Sequence, residues 1–229
     1  MDSSRSPAFL TGNTLKILAA LSMVIDHVGL MFFPHIRLLR ILGRLSFPIF
    51  AFMIAEGCKY TRNRKKYFLS VFSMAAVCQV VYFFFDGSTY MSILVTFSLS
   101  ILMIYALQTF QKTPGFLTGL LFAAAVATVY ILNQIFTLDY GFWGCMVPVF
   151  AAVFHHTKFD RIPVHTAMLG LGLLLLAMEY GGTQYYALLS LPLLLLYSGK
   201  RGKHKMKYFF YIFYPTHLVL LQGLAFLLE

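Results

Sequence analysis

Five ionisable side chains, Asp26, His27, Arg44, Glu56 and His217, fall inside long apolar stretches of the sequence. Placing such a group in hydrocarbon costs about 2.5–3.5 kcal/mol on insertion scales, so it normally faces a cavity or a partner. The residue types suit proton transfer. An imidazole with an ordinary pKa near about 6.5 is a general base at neutral pH, and a carboxylate orients such a ring or balances its charge. Asp26 either plays that part or pairs with Arg44. Neighbouring side chains on a helix differ by about 100°, so Asp26 need not orient His27 itself.

Spacing sorts these groups. Asp26 and His27 lie about 10 Å below the far end of the first apolar run, and Arg44 enters the second run from that same end, within reach of an extended guanidinium. Glu56, twelve residues beyond Arg44, lies about 18 Å further along a helix and needs a different role. His217 sits in Tyr214-Pro215-Thr216-His217-Leu218, where Pro215 removes a helical donor and suits a kinked cavity wall. The bland reading is that such charges and histidines simply tie helices together. His35, His155, His156, His165 and His204 fall in loops or at the opening of a span, and a solvated or interfacial place is expected for all five. Cys58, Cys78 and Cys145 lack metal-ligand spacing, so they read as small packing residues and no metal site is expected.

The elements that must position these groups are transmembrane helices. Of 229 residues, 59% are hydrophobic and 11% charged, against about 25% charged in an ordinary soluble domain. Crossing a bilayer takes about 20 mostly apolar residues. Runs approaching that length occur near 14–33, 42–58, 66–85, 91–107, 115–133, 141–155, 164–179, 184–197 and 207–227. The expected fold is all-α, a polytopic transmembrane helical bundle of about nine spans. Residues 1–229 form one integral membrane domain, with 1–13 as a short polar cytoplasmic segment. The runs at 141–155 and 184–197 are short for full crossings and invite a tilted or re-entrant path.

The net charge of +10 reads as topology and not as nucleic-acid binding. Its densest clusters are the loop carrying Lys59, Arg62, Arg64, Lys65 and Lys66 and the loop carrying Lys200, Arg201, Lys203, Lys205 and Lys207. Nine spans put both on one side. Taking that side as cytoplasmic gives an N-in, C-out protein of, by expectation, the bacterial cytoplasmic membrane.

The same positions form ordered motifs. Met23-Val24-Ile25-Asp26-His27-Val28-Gly29 is followed by Gly43-Arg44-Leu45-Ser46-Phe47-Pro48-Ile49-Phe50-Ala51-Phe52 and Glu56-Gly57. Thr61-Arg62-Asn63-Arg64-Lys65-Lys66-Tyr67 continues the block, then Tyr140-Gly141-Phe142-Trp143-Gly144 and finally Phe209-Phe210-Tyr211 through Leu218. Together they resemble the TraX family of membrane proteins, whose members look like small relatives of the transmembrane acyltransferases. The family's founding member is associated with acetylation of the pilin N-terminus, so the resemblance implies acetyl transfer from acetyl-CoA to an amine, favoured over a hydroxyl.

On that resemblance, acetyl-CoA is a co-substrate and no cofactor is held permanently. Its phosphates are expected near Arg62, Arg64, Lys65, Lys66, Lys200 and Arg201, which suit anions. His27, with His217 second, is the expected base, and Asp26 orients or balances the site. Arg44, Glu56 and Tyr214 are the expected acceptor-binding groups, Arg44 serving an anionic group or developing charge. The partners are the bilayer, the acyl-CoA donor and an acceptor that is a peptide amine, a sugar or a lipid. The competing class is a proton-coupled transporter or channel using the same ionisable residues, and a third is a structural subunit.

Overall fold

The computed structural model describes residues 9–86, 90–203 and 206–228. Among the described residues ten α-helices follow in order: α1 Gly12–Met31, α2 Arg37–Gly43, α3 Ser46–Tyr60, α4 Arg64–Asp86, α5 Ile93–Lys112, α6 Phe116–Ile135, α7 Gly141–Ala152, α8 Ile162–Tyr180, α9 Leu191–Leu195 and α10 Lys207–Leu228. A 3₁₀ segment, Gly182–Ser190, joins α8 to α9. Among the described residues there is no strand, only isolated bridges at Leu10–Tyr197 and Met91–Leu138. The expectations placed on residues 1–8, His204 and Lys205 lie outside the described residues.

Among the described residues, six segments are long and apolar enough to cross a membrane: Gly12–Met31, Arg37–Tyr60, Arg64–Phe84, Ile93–Lys112, Phe116–Ile135 and Ile162–Tyr180. Gly141–Ala152 and Ile212–Leu227 are shorter apolar helices. The span expected at 184–197 is instead mostly 3₁₀, followed by the five-residue α9. Consecutive glycines with positive φ, Gly181 at 65° and Gly182 at 53°, turn the chain out of α8 there. A 3₁₀ run of nine residues is long for that geometry. The span expected at 42–58 begins earlier, at Arg37, and breaks at Arg44 and Leu45, where the chain passes from α2 into α3.

Helix α6 shows what surrounds the bundle. It buries only Val129 and exposes Phe116, Leu117, Leu120, Leu121, Tyr130, Ile131 and Ile135. An apolar face of that extent belongs in hydrocarbon, not in water. The packed interior lies among α3, α5, α7 and α8, through fully buried Phe52, Ile101, Met103, Ile104, Leu169, Leu173 and Leu176. Helices α7 and α8 approach at Gly172, where a Cβ would sit 3.0 Å from the Phe150 ring and 3.3 Å from the Val147 backbone. Close contact through small residues replaces the hydrophobic drive that lipid cannot supply. Cys58, Cys78 and Cys145 are free thiols and all buried, as packing residues should be.

Contacts at the helix ends sort the loops. The start of α1 joins the second basic loop, with the Gly12 N–H donating to the Lys200 carbonyl at 2.8 Å and the Ser198 N–H to the Leu10 carbonyl at 2.8 Å. Lys59 pairs with Asp160 at 2.5 Å, and Arg64 donates to Gln108 at 2.9 Å. The ends opposite carry Asp26, the α1–α2 turn, residues 90–92 and residues 136–141, tied by the Met91 N–H to the Thr137 carbonyl at 2.9 Å. Both basic loops therefore occupy the same end of the bundle.

Candidate active site

The α1–α2 hairpin builds the charged part of the site. Gly29 meets Leu39, and at Gly43 even a methyl group would collide with the Asp26 carboxyl, so glycine is what lets the two helices close over it. The Ser22 hydroxyl donates to the Leu42 carbonyl across the same seam. Held there, Asp26 accepts from one guanidinium nitrogen of Arg44 with both carboxylate oxygens, at 3.1 Å each. The pairing of Asp26 with Arg44, one of the two roles open from the sequence, is thus formed. Arg40, which the sequence does not single out, also reaches it: its guanidinium is 2.8 Å from Asp26 Oδ2 and donates to the Asp26 backbone carbonyl at 3.1 Å.

Arg44 stands at the break between α2 and α3 and spreads over three elements. Its second terminal nitrogen donates to Gln184 Oε1 at 3.1 Å and to the Tyr140 hydroxyl at 3.3 Å. Tyr140 is set by a left-handed backbone, φ 58°, just before α7, and its ring stacks on Phe47 at 4.3 Å. Arg44 Nε and Gln184 Nε2 are buried and hydrogen-bond no other described group of the protein. Asp139, in the loop beside them, accepts from the Tyr90 hydroxyl at 2.8 Å. Burial pushes its pKa up to about 6, against the opposing effects of the Tyr90 hydrogen bond and the Arg44 charge.

Next to this ion cluster the first and last helices exchange a histidine contact. His217 Nε2 lies 3.2 Å from His27 Nδ1, with the rings stacked at 5.2 Å. His217 Nδ1 is 3.1 Å from the Phe213 carbonyl. A carbonyl only accepts, so in neutral His217 that nitrogen carries the proton and Nε2 is the acceptor. His27 then donates from Nδ1, which leaves its Nε2 with a free lone pair. Phe213 and Tyr214 pack on the His217 ring at 5.1 and 5.3 Å, fixing its plane.

A cavity of about 1470 Å³ connects the two ends of the bundle. At one end it is lined by Asp26, His27, Arg40, Arg44, Tyr140 and Gln184, with Tyr214 on the α10 side. At the other it is lined by Lys16, Glu56, Tyr60, Asn63, Lys66 and Arg201.

The site residues expected from the sequence divide accordingly. His27, Asp26, Arg44, Tyr214 and His217 come together. Of the six basic residues expected to hold phosphates, Lys66 and Arg201 line the cavity. Arg64 turns instead between α4 and α5, bonded to Gln108 and over the Tyr105 ring at 5.1 Å. Arg62 and Lys200 are exposed, and Lys65 lines a shallow surface groove with Lys66. Lys16 is an addition that its position within an apolar run concealed.

Glu56 is separated from Arg44 by most of α3 and keeps other company. Its Oε1 is 3.9 Å from His155 Nε2 and 3.9 Å from His165 Nδ1. Contrary to the solvated place expected for them, His155 and His165 are each 1% exposed. The reason lies in the turn after α7. His156 takes a left-handed backbone, φ 60°, and its N–H donates to Asp160 Oδ2 at 2.8 Å, which folds His155 inward beneath the start of α8. Burial opposes the ionisation of Asp160, but the Lys59 ammonium and the His156 N–H hold its carboxyl below the ordinary range.

The TraX protein family model matches residues 11–225. The chain is 28% identical over 243 residues to the probable fimbrial assembly protein FimC, serogroup H1, of Dichelobacter nodosus, covering 90% of this chain and 92% of that protein. It is also 47% identical over 38 residues to an uncharacterized protein of Rickettsia prowazekii (strain Madrid E), covering 17% of this chain and 15% of that one. The comparison with solved structures gives no match.

Proposed function

Because this chain belongs to the TraX family, we propose that it is a membrane-embedded acyltransferase. It moves an acetyl group from acetyl-CoA to an amine, ahead of a hydroxyl, on a membrane-associated or extracytoplasmic acceptor: a peptide, a sugar or a lipid. The name of the Dichelobacter relative favours a protein of the fimbrial or pilus assembly line as the setting. The protein sits in the bacterial cytoplasmic membrane as about nine crossings, N-in and C-out, the two basic loops inside.

The observation that carries the reading is the cavity, which has a basic end at Lys16, Lys66 and Arg201 and a histidine end at His27. At about 1470 Å³ it exceeds the roughly 300–1,000 Å³ of common small-molecule pockets, which suits two substrates meeting from opposite sides. Acetyl-CoA enters at the basic end, where ammonium and guanidinium groups favour its phosphates, and its thioester extends along the cavity. His27 Nε2 takes the proton from the acceptor as it attacks the thioester carbonyl, the acetyl C–S bond then breaks and the proton passes to the departing coenzyme A thiolate, while His217 holds the ring and its tautomer. Arg44 and Gln184 line the cavity together with His27 and supply donors for the oxygen that becomes negative in that step. Asp26 fixes Arg44.

The deciding test is thermal. Acetyl-CoA at about 100 times its Kd adds roughly 2.7 kcal/mol to the folded state, so the purified protein should melt higher in a saturable way. Coenzyme A-dependent transfer of labelled acetyl in cell envelopes then identifies the acceptor. No melting response from folded protein, together with solute or proton flux through proteoliposomes, would move the assignment to a transporter.

A further inference from the structure

At the basic end of the bundle, outside the histidine site, three buried side chains from three different segments turn their donor atoms on one point. Glu56 comes from α3, His155 from the turn after α7 and His165 from the first turns of α8. One ligand atom from each lies within 4.8 Å of the other two. We infer that Glu56, His155 and His165 bind one divalent transition-metal ion, zinc being the ion that two imidazoles and a carboxylate suit best.

The chemistry of the cluster suits a cation between these groups. Glu56 Oε1, both nitrogens of His155 and Nδ1 of His165 are buried and hydrogen-bond no other described group of the protein. Buried polar atoms are nearly always satisfied, and here three side chains each turn an unsatisfied atom on the same point. His165 Nε2 lies 3.1 Å from Asp160 Oδ1, an ion-pair contact without hydrogen-bond alignment. A carboxylate there selects the tautomer with the proton on Nε2, leaving the Nδ1 lone pair aimed at Glu56. Two acceptors face each other, and a metal ion converts that repulsion into two bonds. A carboxylate behind a ligating histidine is the common support of such sites.

Geometry and charge agree. Bonds of about 2.0–2.1 Å to a tetrahedral zinc set neighbouring donors about 3.4 Å apart. The two imidazole-to-carboxylate separations are 3.9 Å and all three donor atoms lie within 4.8 Å of one another, so side-chain shifts of about 0.5–1.4 Å close them to tetrahedral spacing. Among the charged groups in the cluster, Glu56 and Asp160 carry two negative charges against one on Lys59, which leaves one uncompensated before a divalent ion arrives. Three protein ligands leave a fourth position for water or an anionic oxygen. Glu56 also lines the cavity, so the ion stands at its wall. The site ties α3 to α8 and to the turn after α7, and it does not depend on the acyltransferase reading.

The test uses the full chain in detergent, stripped with a chelator, desalted, and titrated with zinc ion alone against a chromogenic competitor. One equivalent is expected. Glu56→Gln, His155→Ala and His165→Ala should each weaken it at least about tenfold, while Lys158→Ala, a change at an exposed residue of the same loop, leaves it intact. Zinc X-ray absorption of the wild-type protein provides a readout that needs no variant, and imidazole scattering from two ligands is expected. The inference is overturned if folded wild-type protein takes up no stoichiometric zinc, if the ligand variants bind as the wild type does, or if the bound zinc shows no imidazole.

Discussion

Both oxygens of the Asp26 carboxylate rest on a single nitrogen of Arg44, 3.1 Å from each, while the other terminal nitrogen of the same guanidinium spans Tyr140 and Gln184. One side chain thus joins α1, the loop before α7 and the 3₁₀ segment. A lysine carries its charge at one point and cannot make these contacts together. Arg44→Lys is therefore expected to lower acetyl transfer at least about tenfold and to lower the melting temperature, since hydrogen bonds to charged groups contribute about 1.5–3 kcal/mol each. Transfer at the wild-type rate in Arg44→Lys would show that only a point charge is needed.

The histidine pair separates a base from its support. His27→Ala should reduce transfer by about 10²–10⁴, the usual range for a general base, without loss of folded yield. His217→Gln keeps an acceptor for His27 Nδ1 and should retain much of the rate. His217→Phe removes that acceptor, and the low-pH limb of the rate profile should shift with it. Equal effects of the two His217 variants on that limb would show that the contact does not set the His27 tautomer.

Gly43 makes a prediction about packing. A methyl group there strikes Asp26, whereas one at Gly223 meets nothing within 4 Å. Gly43→Ala should destabilise by about 1–3 kcal/mol, the usual cost of overpacking, and Gly223→Ala should be neutral. Paired melting curves decide it.

Asp139 supplies the pH dependence. Its folded pKa of about 6 lies above the ordinary carboxylate value, so between about pH 4 and 6 the folded state binds the extra proton and stability falls as pH rises. Asp139→Asn should remove this contribution, so the melting temperatures of variant and wild type should diverge across that interval and run parallel above it. A constant difference from pH 4 upward would contradict the assignment.

Much of this site could be read from helix geometry, and the rest depends on how distant segments meet. The rise per residue and the shared end of two apolar runs were enough to bring Arg44 within reach of Asp26, as one of two roles open to that carboxylate, and to keep Glu56 away from Arg44. Arg40 was hidden because an arginine near the end of an apolar run looks like a topology signal, yet α2 begins at Arg37 and turns it inward. His155 and His165 were hidden for a related reason. Their neighbours Lys158, Asp160 and Arg161 describe a polar loop, and only the left-handed turn at His156 sends one ring under α8. The 3₁₀ segment that delivers Gln184 has the composition of a short crossing, and its path follows from two glycine turns and from packing against α8 and α3.

The contact between His27 and His217 spans 190 positions of the chain. Synthesis delivers α1 to the membrane first and α10 last, so every intermediate of insertion carries an incomplete pair. Catalytic competence on the proposed mechanism thus arrives in one step, when the last helix docks. A product truncated before residue 207 would hold the whole of the Asp26–Arg44 cluster and most of the cavity wall and still lack the acceptor that sets the base. Such a product is a ready reference for separating ligand binding from turnover in the same membrane.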